Sequence, residues 1–232
     1  MKLALLGYGR MGKAIEKIAL ERGHQIVCKL DKDESEGRLE EADTAINFSV
    51  PDAAVENINK ALKLSIPVVC GTTGWLDAYD EVTQTAQKNN TAFLYASNFS
   101  VGVNLFFKLN KILAKMMDPH KDYKVSMQET HHIHKLDAPS GTAITLAEDI
   151  IDNSKLTQWK MDKEGPETVS IQSFREGEVP GTHTIKYQSN IDEISIEHKA
   201  HNRKGFALGA LIAAEWIANK KGIFKMEDVL NL

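Results

Sequence analysis

A short apolar run, Leu3 to Leu6, passes directly into Gly7-Tyr-Gly-Arg-Met-Gly12, and this junction limits the fold more than any other stretch of the chain. An apolar run that stops at a glycine suits a buried strand. Beyond it Met11, Ala14, Ile15, Ile18 and Ala19 recur at helical spacing up to Gly23, and a second strand, Gln25 to Leu30, ends at Asp31. Strand, glycine turn, helix and strand in this order form a dinucleotide-binding fingerprint. Gly7 allows the tight turn, Gly9 lets backbone approach a pyrophosphate, and Gly12 lets helix and strand pack closely. Asp31 stands near the usual spacing, about 20 residues on, of the acid that holds ribose hydroxyls.

The alternation continues. Thr44 to Phe48 reads as a strand, Pro51 to Leu64 as a helix with proline in its first turn, Ile66 to Cys70 as a strand, the next stretch to about Asn90 as a helix, and Thr91 to Tyr95 as a strand. The charged stretch Lys32 to Glu41 reads as a surface loop. Strand–helix alternation implies a parallel sheet with right-handed crossovers, whose ligands bind at the carboxyl ends of the strands. The loops Gly7–Gly12, Asn47–Pro51, Gly71–Gly74 and Ala96–Phe99 are therefore expected to face one cofactor.

From about Val101 the pattern changes. An apolar helix (Val103 to Met117) precedes a strand (Tyr123 to Thr130), a helix from Thr142 and a polar loop (Asn153 to Glu167). Period-two runs follow at Val169, Ile171 and Ser173, at Ile185 and Tyr187, and at Ile194, Ile196 and His198, which read as antiparallel strands. A helix from about Phe206 to Asn219 closes the chain. The expected fold is α/β: a Rossmann-like dinucleotide-binding domain (1–102 with a returning helix in 206–232) plus a second α+β domain (103–205) with a mixed, largely antiparallel sheet. A few strands covered by two helices leave a face or edge open, so a homo-oligomer is expected.

Composition narrows the class. With a net charge of -4 the chain lacks the basic balance of a nucleic-acid binder. No run approaches the roughly twenty apolar residues of a membrane span, and the N-terminal apolar run is too short for a signal peptide. The two cysteines, Cys28 and Cys70, lie in apolar strands and read as buried free thiols, which suits a cytoplasmic location.

The chemistry concentrates in Glu129-Thr-His-His-Ile-His-Lys-Leu-Asp-Ala-Pro-Ser-Gly-Thr-Ala143. Three imidazoles, a lysine and two carboxylates precede a helix start with Ser140 as its N-cap. The unpaired N–H groups of such a start, here those of Gly141 and Thr142, form a seat for a carboxylate. A zinc site at His131, His132 and His134 would need convergent side chains. In an extended segment the first two point to opposite faces, so no metal is expected. His134 reads as a structural hydrogen bonder and Asp137 as a turn or cap residue. His183, His198 and His201 read as structural or interface residues, and Arg175 and Arg203 carry no assigned role.

The segment His131 to Ala143 closely resembles the signature of the 4-hydroxy-tetrahydrodipicolinate (dihydrodipicolinate) reductases, and the similarity covers the whole chain. Gly7-Tyr8-Gly9-Arg10-Met11-Gly12 is similar to the family's cofactor loop. Gly71-Thr72-Thr73-Gly74 and Ala96-Ser97-Asn98-Phe99, continuing to Asn104, are similar to its later cofactor and hinge segments, and Asp228 to Leu230 is similar to its close. Two departures stand out: Asn47 occupies a position where aspartate is expected, and the loop after Asp31 looks short. The resemblance implies reduction of a cyclic unsaturated dicarboxylate by NADH or NADPH with loss of water, in lysine and diaminopimelate synthesis, by a homotetramer. It further implies that His131 and Lys135 transfer the proton and that His132 contacts the substrate. Lysine donates at neutral pH if its pKa falls or if developing substrate charge draws the proton away. Asp31 and Lys32, side by side, are expected to face the adenosine ribose with opposite charges and so to admit both nucleotides. The rival enzyme reading is another two-domain nicotinamide-dependent amino-acid dehydrogenase. A nucleotide-sensing binding protein would need an output module that this chain lacks.

Overall fold

The computed structural model describes residues 1–32, 35–202 and 204–232, and these fall into two compact units, 1–101 with 204–232, and 102–203. In the first unit a seven-stranded sheet runs in the order β12-β6-β5-β4-β1-β2-β3. The strands are β1 (Lys2–Leu6), β2 (Gln25–Leu30), β3 (Ser35–Gly37), β4 (Thr44–Asn47), β5 (Val68–Cys70), β6 (Ala92–Tyr95) and β12 (Gly222–Phe224). All pair parallel except β3, which runs antiparallel to β2.

Strand alternation divides the core into two layers. Leu3 and Leu5 pack on one face with Ile15 and Ala19 of α1 (Arg10–Glu21) and with Ala207, Ala210 and Ala214 of α6 (Lys204–Ile217). Ala4 and Leu6 pack on the other with Ala54 and Ile58 of α2 (Pro51–Lys63) and Val82 and Ala86 of α3 (Tyr79–Lys88). Burial on both faces is why β1, β4 and β5 are apolar throughout rather than alternating. Both cysteines are buried and free, and burial pushes the Cys70 thiol up to about 11, which makes it inert.

Two sequence expectations change in this unit. The stretch expected as a loop after Asp31 supplies β3, whose polar residues pair with β2 at the exposed sheet edge. The tail after α6 is also ordered: β12 adds to β6, and α7 (Met226–Leu230) inserts Met226 into the core.

The second unit is a five-stranded sheet in the order β11-β10-β7-β9-β8 with two helices, α4 (Val101–Met117) and α5 (Gly141–Asp152). Its strands are β7 (Lys124–His131), β8 (Gln158–Met161), β9 (Thr168–Arg175), β10 (Thr182–Gln188) and β11 (Glu193–Lys199). Met127, Ile171 and Ile185 point to the helices and pack with Phe106, Leu146 and Ile150. The alternate residues Gln128 and Gln172 lie exposed and hydrogen-bond to each other at 3.0 Å. The sheet is mixed. β10 runs antiparallel to β7 and β11, whereas β9 runs parallel to β7 and β8. The segment read as the polar loop 153–167 contains β8. The period-two runs give the strands but not their directions, because direction depends on the crossover and not on side-chain alternation. No helix among the described residues is long and apolar enough to cross a membrane.

Candidate active site

In the first unit four loops meet at the carboxyl ends of β1, β4, β5 and β6. Gly7 has φ +96°, and a Cβ there would lie 2.5 Å from the Phe48 carbonyl oxygen. A Cβ on Gly12 would lie 2.4 Å from the Gly7 carbonyl oxygen, so α1 packs tightly against the turn. Gly9, by contrast, faces open space, and as the N-cap of α1 it carries no side chain to satisfy the first-turn amides. The two outer glycines thus close the turn while the middle one leaves the helix start clear for an anion.

The neighbouring loops interlock beside it. Phe48 packs edge-on against Phe99 at 5.7 Å between ring centres, and the ring of Phe48 also fills the space over Gly71. Asn47 is wholly buried; its amide nitrogen donates to Thr72 Oγ1 at 3.3 Å and its oxygen accepts from Ser49 Oγ at 2.9 Å. An aspartate here would offer no donor to Thr72, so the departure at 47 ties the β4 and β5 loops together. Tyr8 hydrogen-bonds Glu16, and Lys29 pairs with the same carboxylate at 2.8 Å while lying 4.6 Å from the Tyr8 ring centre. Arg10, Thr73 and Ser97 are exposed, Met11, Ala96 and Asn98 are partly buried, and Thr72 is buried. Asp31 and Lys32 are exposed just past the end of β2, with the Lys32 amide donating to Asp31 Oδ1 at 2.9 Å.

The second unit holds the histidine segment. His131 is the last residue of β7 and is buried, His132 is half-buried, and His134 is exposed with Glu178 at 3.5 Å. Lys135 Nζ donates to both Asp137 oxygens at 2.8 Å, and this bond, above all other influences, holds the Asp137 carboxyl below its ordinary range. Asp137 is therefore a tether for Lys135 and not merely a turn residue. Arg175 braces the same loop: Nε donates to the Lys135 carbonyl at 3.1 Å and an Nη to the Asp137 carbonyl at 2.6 Å. Arg203 lies outside the described residues.

Helix α5 begins as its sequence suggests. Ser140 is the N-cap, and its Oγ accepts from the Ala143 amide at 3.2 Å. The Ser140 amide is taken by Glu129, at 3.0 and 3.2 Å from the two carboxylate oxygens. The first intrahelical bond of this turn runs from Ile144 to the Ser140 carbonyl. Of the amides that open the helix, those of Gly141 and Thr142 therefore donate to no acceptor among the described residues, the condition that a helix-start anion seat requires.

Beneath this seat lies a cluster that the sequence did not disclose. Strand register sets His183 of β10 and Ser173 of β9 on either side of Glu129, two residues along β7 from His131 and on the same face. Glu129 Oε2 lies 3.4 Å from His131 Nε2 and 3.6 Å from His183 Nε2, and the two imidazole nitrogens are 3.4 Å apart. Ser173 Oγ donates to Glu129 Oε1 at 2.8 Å, with an Arg175 nitrogen 3.7 Å away. Burial alone would raise the Glu129 pKa. Contacts with His131, His183, Ser140 and Ser173 outweigh it and hold the carboxyl well below its ordinary range. Burial lowers the pKa of His183. The donor atoms of Glu129, His131 and His183 all lie within 4.8 Å of one another, a spacing that a metal ion would also accept. His183, expected as a structural or interface residue, thus lies against both Glu129 and His131. The clue was a carboxylate and an imidazole, Glu129 and His183, at inward positions of alternating strands.

Comparison with known proteins decides the family. The model for the N-terminus of dihydrodipicolinate reductase matches residues 1–99, and that for its C-terminus matches residues 102–230. The chain belongs to this family. It is 54% identical over 234 residues to the 4-hydroxy-tetrahydrodipicolinate reductase of Christiangramia forsetii, covering 100% of this chain and 98% of the relative. It is 38% identical to that of Methanoregula boonei, over 82% of this chain and 75% of the relative. The fold is similar to that of the dipicolinate-bound dihydrodipicolinate reductase from Paenisporosarcina sp. TG-14, with a TM-score of 0.83, 23% identity, and coverage of 100% of this chain and 99% of the other.

Proposed function

We propose that the first unit binds the nicotinamide cofactor and that the second binds the cyclic dicarboxylate and supplies the proton. As a member of its family the chain is an NAD(P)H-dependent oxidoreductase acting on 4-hydroxy-tetrahydrodipicolinate. The overall change takes hydride from the cofactor and one proton, and releases water and the oxidised nucleotide with tetrahydrodipicolinate. Hydride added to one end of a conjugated C=C–C=N system leaves negative charge on the other atoms, which a positioned acid must neutralise. We assign that transfer to His131 and Lys135, with His132 contacting the substrate.

The observation that carries this reading is the pair of unengaged amides at Gly141 and Thr142, in the same segment as His131 and Lys135. An anion seat beside proton-transfer groups suits a substrate that is both a carboxylate and a proton acceptor. The relative from Paenisporosarcina is described as dipicolinate-bound, and the same planar dicarboxylate is a ready probe. Calorimetric titration with pyridine-2,6-dicarboxylate should show binding that Thr142→Pro weakens; equal binding by both proteins would move the seat elsewhere.

In the first unit, Gly7, Tyr8, Gly9, Arg10, Met11 and Gly12 are assigned to the pyrophosphate, and Asp31 and Lys32 to the adenosine ribose. Gly71, Thr72, Thr73, Ala96, Ser97, Asn98 and Phe99 are assigned to the remainder of the cofactor. Gly9's open approach supports this reading, and either NADH or NADPH is the expected partner. The Glu129 cluster is read as handling protons rather than metal. Oε1 is already engaged by an amide and a hydroxyl, and a guanidinium stands beside it.

A homotetramer is the proposed assembly. The second unit exposes Leu105, Leu109, Ile112 and Met116 along one stripe of α4 and leaves the outer face of its sheet uncovered. Buried free thiols suit the cytoplasm, and the proposed role lies in lysine and diaminopimelate synthesis, with no nucleic-acid or membrane partner. Light scattering on the eluting protein should give about four chains per particle; a monomeric mass would overturn the assembly.

A further inference from the structure

We propose that Glu129 is the positioning residue of the site, one buried carboxylate that sets both the proton-transfer imidazole of His131 and the anion seat at the start of α5. The proposal rests on the reading above, in which His131 transfers the proton and the α5 amides hold a substrate carboxylate.

Glu129 is 1% exposed, so a carboxylate there is retained only if its oxygens are fully engaged. They are, and the partners come from every part of the site. The Ser140 amide reaches both oxygens at 3.0 and 3.2 Å, and the Ser173 hydroxyl reaches Oε1 at 2.8 Å. Oε2 faces His131 Nε2 at 3.4 Å. Taking the Ser140 amide leaves Gly141 and Thr142 as the amides open to a ligand. Facing His131 Nε2 fixes the ring from one side. Gly181 closes the other side: a Cβ there would lie 2.9 Å from His131 Cε1, so only glycine lets the ring rest against that backbone.

Charge supports the same assignment. The groups facing His131 are Glu129 on its own strand, His183 from β10 and Arg175 opposite it on β9. Glu129 is the one anion among them. Burial keeps His183 from charging, so Glu129 is the charged group packed directly against the His131 ring.

The test compares Glu129→Gln, His131→Gln and the double variant. For Glu129→Gln we expect kcat to fall by about tenfold to a hundredfold and the KM for the dicarboxylate to rise several-fold. Cofactor affinity should stay at wild type, a split between the two ligands that a general loss of structure would not give. Because Glu129 acts on proton transfer through His131, the double variant should lose no more kcat than His131→Gln alone. A wild-type kcat and KM in Glu129→Gln, with His131→Gln impaired, overturns the positioning proposal alone. Full turnover in His131→Gln instead sinks the proton-transfer reading beneath it. If Glu129→Gln does not fold, Glu129→Asp carries the test. It keeps the charge but is one methylene short of reaching the Ser140 amide and His131 together, so kcat should fall and KM rise, and unchanged constants there count against the proposal.

Discussion

Glu129 and His183 face each other across the β7–β10 pair, carboxylate to imidazole at 3.6 Å, and both are buried. Neither residue stands out in its own strand; together with His131 they form a buried carboxylate–imidazole cluster in the second unit's sheet. This relationship makes the unit's stability depend on pH. Burial lowers the pKa of His183, so the folded state refuses a proton that the unfolded chain accepts below about pH 6.5. Its contribution is present above that pH and lost on acidification. The Glu129 carboxyl is also depressed, so its contribution is lost in turn as pH falls below about 4.3. Thermal melts of the wild type should therefore drop in midpoint between pH 7.5 and 5, and His183→Gln should flatten that slope. An equal slope in the variant would show that His183 does not titrate on unfolding.

The proton-transfer pair makes a sharper demand. His131→Gln and Lys135→Ala should each lower kcat by about a hundredfold or more, with nucleotide affinity near wild type. Both residues lie in the second unit, and the cofactor loops lie in the first. Near-full turnover in either variant at saturating substrate would remove that residue from the mechanism.

Much of the fold was legible in the sequence. Gly7, Gly9 and Gly12 between an apolar strand and an amphipathic helix give a fold and a ligand class, because each glycine answers a separate steric need. Ser140 announced its helix by the same local logic. What escaped depends on tertiary pairing. Ser35–Gly37 and Gln158–Met161 are polar enough to read as loops, and become strands only because β2 and β9 offer edges. The direction of β9 and the meeting of Glu129, His183 and Ser173 follow from register between strands distant in sequence, which alternation within one strand does not encode.

The anion seat can be probed without touching a charged group. Thr142→Pro removes one of the two open amides while remaining tolerable in the first turn of a helix. The KM for the dicarboxylate should rise by about tenfold, near 1.4 kcal/mol, and that for the nucleotide should not move. A parallel rise in both would indicate a general disturbance of the fold.

On the proposed cofactor assignment, two neighbours of opposite charge bear on the choice of nucleotide. Asp31 favours a ribose diol, and exposed Lys32 can meet a 2′-phosphate, so the preference between NADH and NADPH should stay within about tenfold. Lys32→Ala should weaken NADPH and leave NADH nearly unchanged. Titration of both nucleotides against both proteins checks this, and equal losses would show that Lys32 does not reach the phosphate.

The most direct measurement supplies the unstable substrate in place, with a dihydrodipicolinate synthase producing it beside this chain, while the nicotinamide absorbance is followed. The expected result is loss of reduced nucleotide that requires the synthase and is abolished by His131→Gln, with no oxidation of nucleotide when 2-oxo acids and ammonia replace the substrate. Nucleotide oxidation driven by those amino-acid precursors, or none in the presence of the synthase product, would contradict the assignment.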